Sequence, residues 1–375
     1  MRYYIVAGEA SGDLHGSNLM KELKIADNNA EFRFFGGDLM KEVGGELVKH
    51  YREMAFMGIL NVLLNIKTIK RNLDLCKHDL LAYQPDAVIL IDYPSFNFRI
   101  AEFAKNNGIK VFYYISPKLW AWKEYRVKHV RSFVDEMFTI LPFETEFYQK
   151  HGIDVNYVGN PILDSIKEFK SRAITKEEFR EKYNLDERPI IALLSGSRIQ
   201  EIKNTLPVMK KAVAGYSDYQ VVVTGVSSVD KKVYDKILTG SNIKLVFNAT
   251  YNVLTHAHTA MVASGTAALE TALFNIPQVV MYKMEGGLLL DVIMRNFVLK
   301  TQWVSLPNII LQKSTVVELI QKDMTVKNVS AELHKLLKDH DYRKNILNDY
   351  QKLTQLMGGP GCSKRTAQKM VELLQ

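Results

Sequence analysis

Short apolar runs alternate with longer amphipathic stretches along most of the chain. Tyr3–Ala7, Arg33–Phe35, Ala87–Ile91, Lys110–Ile115, Glu136–Leu141 and Asn156–Val158 have strand length, and helix-length segments such as Ser17–Ile25 and Ile100–Asn106 lie between them. That alternation is the pattern of βαβ units and a parallel sheet. A polar, charge-rich stretch from Lys167 to Arg188 reads as a linker. Pro189 then opens a second series, Ile190–Leu194, Gln220–Thr224, Lys244–Phe247, Thr259–Ala263 and Gln278–Tyr282. Two successive α/β units predict two Rossmann-like domains with parallel sheets around a central cleft, residues 1–185 and 186–345. Residues 346–375 form a helical segment broken at Gly358-Gly359-Pro360-Gly361, which returns to the first domain or crosses to a partner copy.

Composition narrows the class. With 375 residues, 47% hydrophobic and 24% charged, the chain is an ordinary globular protein, not a disordered, collagen-like or coiled-coil one. At roughly 150 residues per domain, the length allows two cores of useful size. Cys76 and Cys362 are too few for a disulfide framework or a four-thiolate zinc site, which fits a reducing compartment. No His/Cys/Asp cluster has metal-ligand spacing, so neither metal nor cofactor is expected. The apolar run before Glu9 is too short for a signal peptide and reads as a strand. No stretch supplies the roughly 20 apolar residues of a spanning helix. The expectation is a soluble or peripheral protein.

Charge changes the picture further. Residues 1–185 carry 26 basic and 25 acidic side chains, and residues 186–375 carry 23 and 16, so nearly all of the net +8 lies in the second half. A large anionic ligand is expected there. In the first half Lys118, Lys123, Arg126, Lys128 and Arg131 cluster around a single acid, Glu124, and form either a solvated helix face or an anion-facing patch.

Ligands of open α/β sheets sit beyond the carboxyl ends of strands, where helix N-termini offer N–H groups and a positive dipole end. Three strand ends suit this role. Gly8-Glu9-Ala10-Ser11-Gly12-Asp13 is neither a GxGxxG nor a Walker loop, so dinucleotide and triphosphate cofactors are not indicated. Leu194-Ser195-Gly196-Ser197-Arg198 pairs small residues with a guanidinium able to grip phosphate through two N–H groups. Ala263-Ser264-Gly265-Thr266-Ala267-Ala268-Leu269-Glu270 is a small-residue turn leading into a helix that carries a carboxylate suited to ribose hydroxyls. Each loop alone is weak evidence, since a Gly/Ser turn before a helix is more often plain capping. Two in the half with the charge excess point to a nucleotide diphosphate.

Asp92 ends the strand Ala87–Ile91 ahead of Pro94 and serves either as a general base or as a cap of the next helix. Glu9, Asp13 and His15 are competing bases. Met54–Ile66 contains no charge and only a thin polar stripe, so it is either a buried helix or an interfacial segment with apolar residues in lipid. Leu288–Lys300 is a second candidate of that kind. The aromatic Trp120 and Trp122 stand beside the basic cluster.

In this order the segments closely resemble the lipid-A-disaccharide synthases, glycosyltransferases of lipopolysaccharide biosynthesis in Gram-negative bacteria. The resemblance rests on Gly8–Asp13, Met57-Gly58-Ile59, Ser116–Trp122, Leu141-Pro142-Phe143-Glu144, Gly196-Ser197-Arg198, Ala263–Glu270 and Val304-Ser305-Leu306-Pro307-Asn308, and covers nearly the whole chain. It implies a GT-B fold, no metal, and transfer of 2,3-diacylglucosamine from UDP-2,3-diacylglucosamine to 2,3-diacylglucosamine 1-phosphate. The products are UDP and a β-1,6 disaccharide 1-phosphate. It further implies Asp92, with Glu9 and Asp13, as catalytic carboxylates. Ser195, Gly196, Ser197, Arg198, Glu201, Ser264, Gly265, Thr266, Ala267, Glu270 and Asn308 would contact the UDP-sugar, and Ser11 and Gly12 the acceptor. Met54, Met57, Leu60, Leu64, Trp120 and Trp122 would touch acyl chains or membrane. The chain would be a peripheral protein on the cytoplasmic face of the inner membrane, as a monomer or a C-terminally swapped homodimer. Ser95 stands where the family often has a second Asp, which concentrates the base role on Asp92, and Ser195 replaces a more usual Pro. Rival expectations are a UDP-N-acetylglucosamine 2-epimerase-like enzyme and a non-catalytic membrane-surface protein that binds nucleotide sugars. No nucleic-acid-binding module is recognisable.

Overall fold

The computed structural model describes residues 1–54, 65–121, 123–283 and 302–375. In the first unit, β1 (Arg2–Ala7) leads into α1 (Ala10–Ala26), followed by β2 (Glu31–Gly36), α2 (Asp38–Val43) and β3 (Glu46–His50). Then come α3 (Ile66–Tyr83), β4 (Ala87–Ile91), α4 (Pro94–Asn106), β5 (Lys110–Tyr114), α5 (Val127–Phe133), β6 (Glu136–Thr139), α6 (Glu144–Gln149), β7 (Asn156–Tyr157) and the start of α7 (Pro161–Lys170), whose later residues belong to the second unit. The strands form one parallel sheet in the order β3-β2-β1-β4-β5-β6-β7. Apolar residues cover both faces. Tyr3, Ile5 and Ala7 pack in one cluster with Leu19, Met20 and Met370, and Tyr4 and Val6 pack in the other with Leu73, Leu80 and Phe98. A strand buried on both faces has no polar positions to alternate with, which is why these strands read as apolar runs.

The second unit continues with α8 (Lys176–Tyr183), β8 (Ile190–Leu194), α9 (Ile199–Ala212), β9 (Gln220–Gly225), α10 (Lys231–Leu238), β10 (Lys244–Phe247), α11 (Thr250–His256), β11 (Ala257–Ala263) and α12 (Thr266–Leu273). It closes with β12 (Gln278–Tyr282), α13 (Leu306–Leu311), β13 (Val317–Ile320), α14 (Val326–Lys338) and α15 (His340–Met357). Its parallel sheet runs β10-β9-β8-β11-β12-β13. In each sheet the strand order reverses direction once, between β1 and β4 and between β8 and β11. Those reversals are the positions where open α/β sheets bind ligands.

The last helix, α16 (Cys362–Glu372), belongs to the first unit. Asp164 accepts the N–H groups of Gly361 and Ser363, Arg365 Nε donates to the Val158 carbonyl (2.9 Å), and the Cys362 thiol donates to the Gly159 carbonyl (3.1 Å). Met370 and Val371 join the core cluster under β1.

The boundaries differ from the sequence expectation. The units divide at 164/165 and 358/359 rather than at 185/186 and 345/346. Aromatic packing explains the first shift, since the Phe169 ring lies against Tyr251 and Phe274. The supposed linker contains α8, which opens on a Thr175–Glu178 capping box and buries Phe179 against Tyr183 and His256. The second shift follows from α15, an unbroken helix up to Met357 that packs on α12 and α13. Two short edge strands, β3 and β13, also escaped the sequence reading, because their residues are half-polar and only partly buried.

Candidate active site

In the first unit the chain leaves β4 through two consecutive left-handed residues, Asp92 (φ 44°) and Tyr93 (φ 48°), before Pro94 starts α4. Non-glycine residues adopt this conformation only when their surroundings hold them there. Asp92 N–H donates to the Tyr114 carbonyl (3.1 Å). The Asp92 carbonyl accepts from the Tyr113 hydroxyl (2.6 Å) and from Asn97 Nδ2 (2.7 Å), so β5 and α4 fix the backbone, and the carboxylate accepts from the Tyr93 backbone N–H. The Tyr93 ring needs the space beside Gly8, where a Cβ would run into it, and its hydroxyl donates to the Met54 carbonyl (2.8 Å).

The Asp92 carboxylate is open to solvent, yet the protein around it removes enough water to push its pKa up to about 6, and the nearby Glu9 charge adds to the shift while Lys118 opposes it. A carboxyl titrating near 6 is a competent general base at neutral pH. The capping alternative does not describe it, because α4 has no side-chain cap. Glu9 is the N-cap residue of α1, and Ser11 is exposed in its first turn.

Other first-loop residues have structural tasks. Asp13 is buried and accepts three backbone N–H groups, those of Gly37 (2.8 Å), Met40 (3.1 Å) and Leu39 (3.1 Å). It therefore caps α2, and the expectation of a catalytic Asp13 is corrected. Gly12 is buried against Ala7, where a Cβ would sit 3.1 Å from the alanine methyl, so it allows close helix–strand packing. His15 is held neutral, its pKa lowered to about 4 by burial, which removes it as a competing base.

The aromatic loop after β5 is also better explained by packing. Trp120 is buried edge-on to Phe143, and its Nε1 donates to Glu144 (3.3 Å), whose other oxygen accepts the N–H groups of Ile140 (3.2 Å) and Leu141 (3.0 Å). Ser116 and Tyr148 hydroxyls share a 2.7 Å hydrogen bond in the same region. Met54 likewise lies in the core, 1% exposed. The expected lipid contacts of Trp120 and Met54 are thus corrected: both are interior side chains. Met57, Leu60, Leu64 and Trp122, with most of Met54–Ile66 and all of Leu288–Lys300, lie outside the described residues.

In the second unit, the loop after β8 already holds an anion of its own. Glu201 accepts the N–H groups of Ser197 (3.0 Å) and Arg198 (3.3 Å) on one oxygen, and Arg198 Nη1 lies 3.4 Å from the other. Gly196 (φ 107°) permits this, because a Cβ there would come within 2.6 Å of that carboxylate. Here Glu201, expected to contact the sugar, holds the loop. Its carboxylate demonstrates that the loop amides suit an anionic oxygen. Gly196→Ala is expected to cost about 1–3 kcal/mol through backbone strain. Thermal melting reads this, and an unchanged midpoint would show that the Glu201 contact does not define the loop.

Ser195 is buried, and its carbonyl accepts from Thr205 Oγ1 (2.8 Å). Beside it, the Ser264 N–H extends the sheet to Met281 (2.8 Å), and Gly265 and Thr266 are exposed at the start of α12, ahead of Ala267. One turn on, Glu270 accepts the Tyr251 hydroxyl (2.6 Å), and burial raises its pKa. Asn308 was expected near the donor. It is instead fully buried with its amide committed: Nδ2 donates to Val316 O and Glu318 (both 2.9 Å), and Oδ1 accepts from Thr315 and Val316 N–H (both 2.9 Å). Glu318 also gathers Val304 N, Ser305 N and Ser305 Oγ, so the Ser-Leu-Pro-Asn segment is a structural knot. Sequence reading gave no task to Asn97, Tyr113, Glu144, Tyr251 and Glu318, because the fold selects such partners, as where Tyr113 meets the Asp92 carbonyl and Tyr251 meets Glu270. Among the described residues no group of three His, Cys, Asp or Glu side chains can hold a metal ion.

Comparison with known proteins agrees with this arrangement. Solved structures of the same fold include a UDP-GlcNAc 2-epimerase from Neisseria meningitidis bound to UDP-GlcNAc (TM-score 0.70, 14% identity, covering 99% of this chain and 100% of that one). The calicheamicin glycosyltransferase CalG4 is another (TM-score 0.62, 14% identity, 100% and 98% covered). At such identities the likeness concerns the fold alone, the GT-B arrangement of two Rossmann-like domains. Sequence relatives are nearer. The lipid-A-disaccharide synthase of Syntrophus aciditrophicus is 35% identical over 378 residues, covering 99% of this chain and 97% of the relative. That of Coxiella burnetii (strain Dugway 5J108-111) is 34% identical over 353 residues, covering 92% and 90%. The family model for lipid-A-disaccharide synthetase matches residues 3–371. With a match over nearly its whole length, the chain belongs to the lipid-A-disaccharide synthetase family of glycosyltransferases.

Proposed function

We propose that this chain transfers 2,3-diacylglucosamine from UDP-2,3-diacylglucosamine to 2,3-diacylglucosamine 1-phosphate by a single inverting displacement. The observation that carries this reading is Asp92, a water-accessible carboxyl pushed up to about 6 at the switch point of the first sheet, with its backbone locked and its side chain held only by the neighbouring Tyr93 backbone. Asp92 takes the proton of the acceptor 6-hydroxyl as that oxygen attacks the anomeric carbon. The bond from the anomeric carbon to the diphosphate oxygen breaks with its electron pair, and UDP leaves. The second unit holds the leaving group: Arg198 and the first-turn amides of Thr266 and Ala267 meet the developing charge. The Ser197 and Arg198 amides join when Glu201 gives up its place. Glu270, oriented by Tyr251, takes the ribose hydroxyls.

The reading is tested by incubating the protein with both acylated substrates and following UDP release and the anomeric configuration of the disaccharide by NMR. A β-linked product supports it. UDP release without acceptor, or conversion of UDP-GlcNAc to its 2-epimer, favours the epimerase alternative. Arg198→Ala is expected to weaken UDP binding by roughly 10–100-fold, the value of a charged hydrogen-bonding group. Calorimetric titration reads this, and unaltered affinity removes Arg198 from the diphosphate contact.

A further inference from the structure

Asp92 and Tyr93 are consecutive left-handed residues, and Asn97, in the first turns of α4, grips both of them. Its backbone N–H donates to the Tyr93 carbonyl (3.1 Å) and its Nδ2 to the Asp92 carbonyl (2.7 Å). The same Nδ2 faces the Ile91 (3.2 Å) and Val6 (3.5 Å) carbonyls at the ends of β4 and β1. One side chain therefore joins the two strand ends at the switch point, where the chain departs on one side to Glu9 and on the other to Asp92. Tyr113, on β5, brings a second donor to the Asp92 carbonyl (2.6 Å). Asn97 is fully buried, yet its Oδ1 has no donor among the described residues. Turning the amide over would set Oδ1 against three carbonyl oxygens, so the deficit is fixed by the site. Asn308, by contrast, is satisfied at both ends of its amide. An unmet buried acceptor lowers stability. What the Asn97 amide secures is the turn that carries Asp92.

We propose, on the assignment of Asp92 as general base, that Asn97 and Tyr113 are positioning residues for the transfer: by clamping the Asp92 carbonyl they hold its carboxylate beside Glu9, where the acceptor hydroxyl arrives. A left-handed pair without glycine persists only where its surroundings over-determine it. The Asp92 N–H is held by the Tyr114 carbonyl, but the Asp92 carbonyl depends on these two side chains. Without them it lies unpaired, or the turn relaxes to ordinary backbone and finds water. Relaxation swings the carboxylate away from Glu9 and into solvent. The charged groups facing it are Glu9, at the start of α1, and Lys118, in the loop after β5, while the α4 end supplies the Tyr93 N–H. Once the turn relaxes, desolvation and the Glu9 charge both act less, and the carboxyl returns toward its ordinary range. Proton transfer in step with attack needs the base in place, and a displacement of about 1 Å costs on the order of 100-fold.

The test compares Tyr113→Phe and Asn97→Ala with wild type and with Asp92→Asn, measuring turnover of both acylated substrates as a function of pH. Turnover per folded molecule is expected to fall about 10-fold in Tyr113→Phe and about 100-fold in Asn97→Ala, with KM for either substrate and UDP affinity unchanged. The acid limb of kcat/KM should move from about 6 to lower pH in both variants. A purely structural role would lower the melting midpoint but leave turnover per folded molecule and the acid limb at their wild-type values, and that result overturns the proposal. Lowered turnover with the limb unmoved also overturns it, because the carboxylate would not have left Glu9. If Asn97→Ala does not fold, Tyr113→Phe decides, since Asn97 still holds the carbonyl in that variant. Asp92→Asn separates the two levels of failure. Normal turnover there removes the base assignment and the positioning role with it. An inactive Asp92→Asn beside wild-type behaviour of the other two variants removes the positioning role alone.

Discussion

Asp92→Asn is expected to lower turnover by roughly 10²–10⁴-fold, the usual contribution of a positioned general base, with UDP affinity unchanged. Asparagine keeps the shape and tolerates the left-handed backbone of the position, so the fold should survive. Because the carboxyl is solvent-accessible, its raised pKa carries little stability, and the melting midpoint should stay level or rise slightly. The wild-type pH profile provides a second readout. The active form is the carboxylate, so kcat/KM should fall as pH drops through about 6, the value to which burial and the Glu9 charge push Asp92. Glu9→Gln removes the second cause and should move that limb to lower pH. Near-normal turnover in Asp92→Asn, or an acid limb indifferent to Glu9, would assign the base elsewhere.

The largest stability effect is expected at Glu144. Replacement by alanine strands the Trp120 indole N–H and the N–H groups of Ile140 and Leu141. Each buried donor left without a partner costs about 1–3 kcal/mol, so a total of about 4 kcal/mol and a midpoint lowered by about 10 °C are expected. Burial also pushes the Glu144 carboxyl up to about 7, against the hydrogen bonds that favour its ionised form. A carboxyl whose pKa rises on folding holds its proton more tightly in the folded state. Its contribution is complete below the unfolded value near 4.5 and is lost as pH rises through about 7. Thermal melting across that window should show wild type losing stability and Glu144→Gln showing a flatter profile. Parallel profiles would mean that Glu144 does not titrate in this range.

Why Glu144 was read only as part of a motif, and Trp120 as a lipid contact, has one cause. The sequence shows an amphipathic ring beside cations, and nothing local says that a carboxylate 24 residues further on receives its N–H. The charge arithmetic fared similarly. An excess in residues 186–375 pointed to a diphosphate, yet the structure gathers five of those lysines in a groove between α9 and α10. The loop after β8 contributes a single Arg198, already facing Glu201.

By itself the sequence determined what depends on neighbours in the chain: two series of buried parallel strands, the small-residue turns at their ends, and the placement of Asp92 directly after β4. Periodicity and turn chemistry are local, and a strand-end residue in an open sheet lies at the ligand-binding edge whatever the rest of the fold does. Tertiary structure alone decided which polar groups remain available. Asp13 is drawn to Gly37, Leu39 and Met40, Asn308 to Thr315, Val316 and Glu318, and Met54 into the core. A buried backbone N–H must find an acceptor, and carboxylates and amides that look equally catalytic in the sequence are consumed in meeting that demand. Asp92 meets only the adjacent Tyr93 N–H and stays open to solvent, because Tyr113, Asn97 and Tyr114 satisfy its own backbone groups.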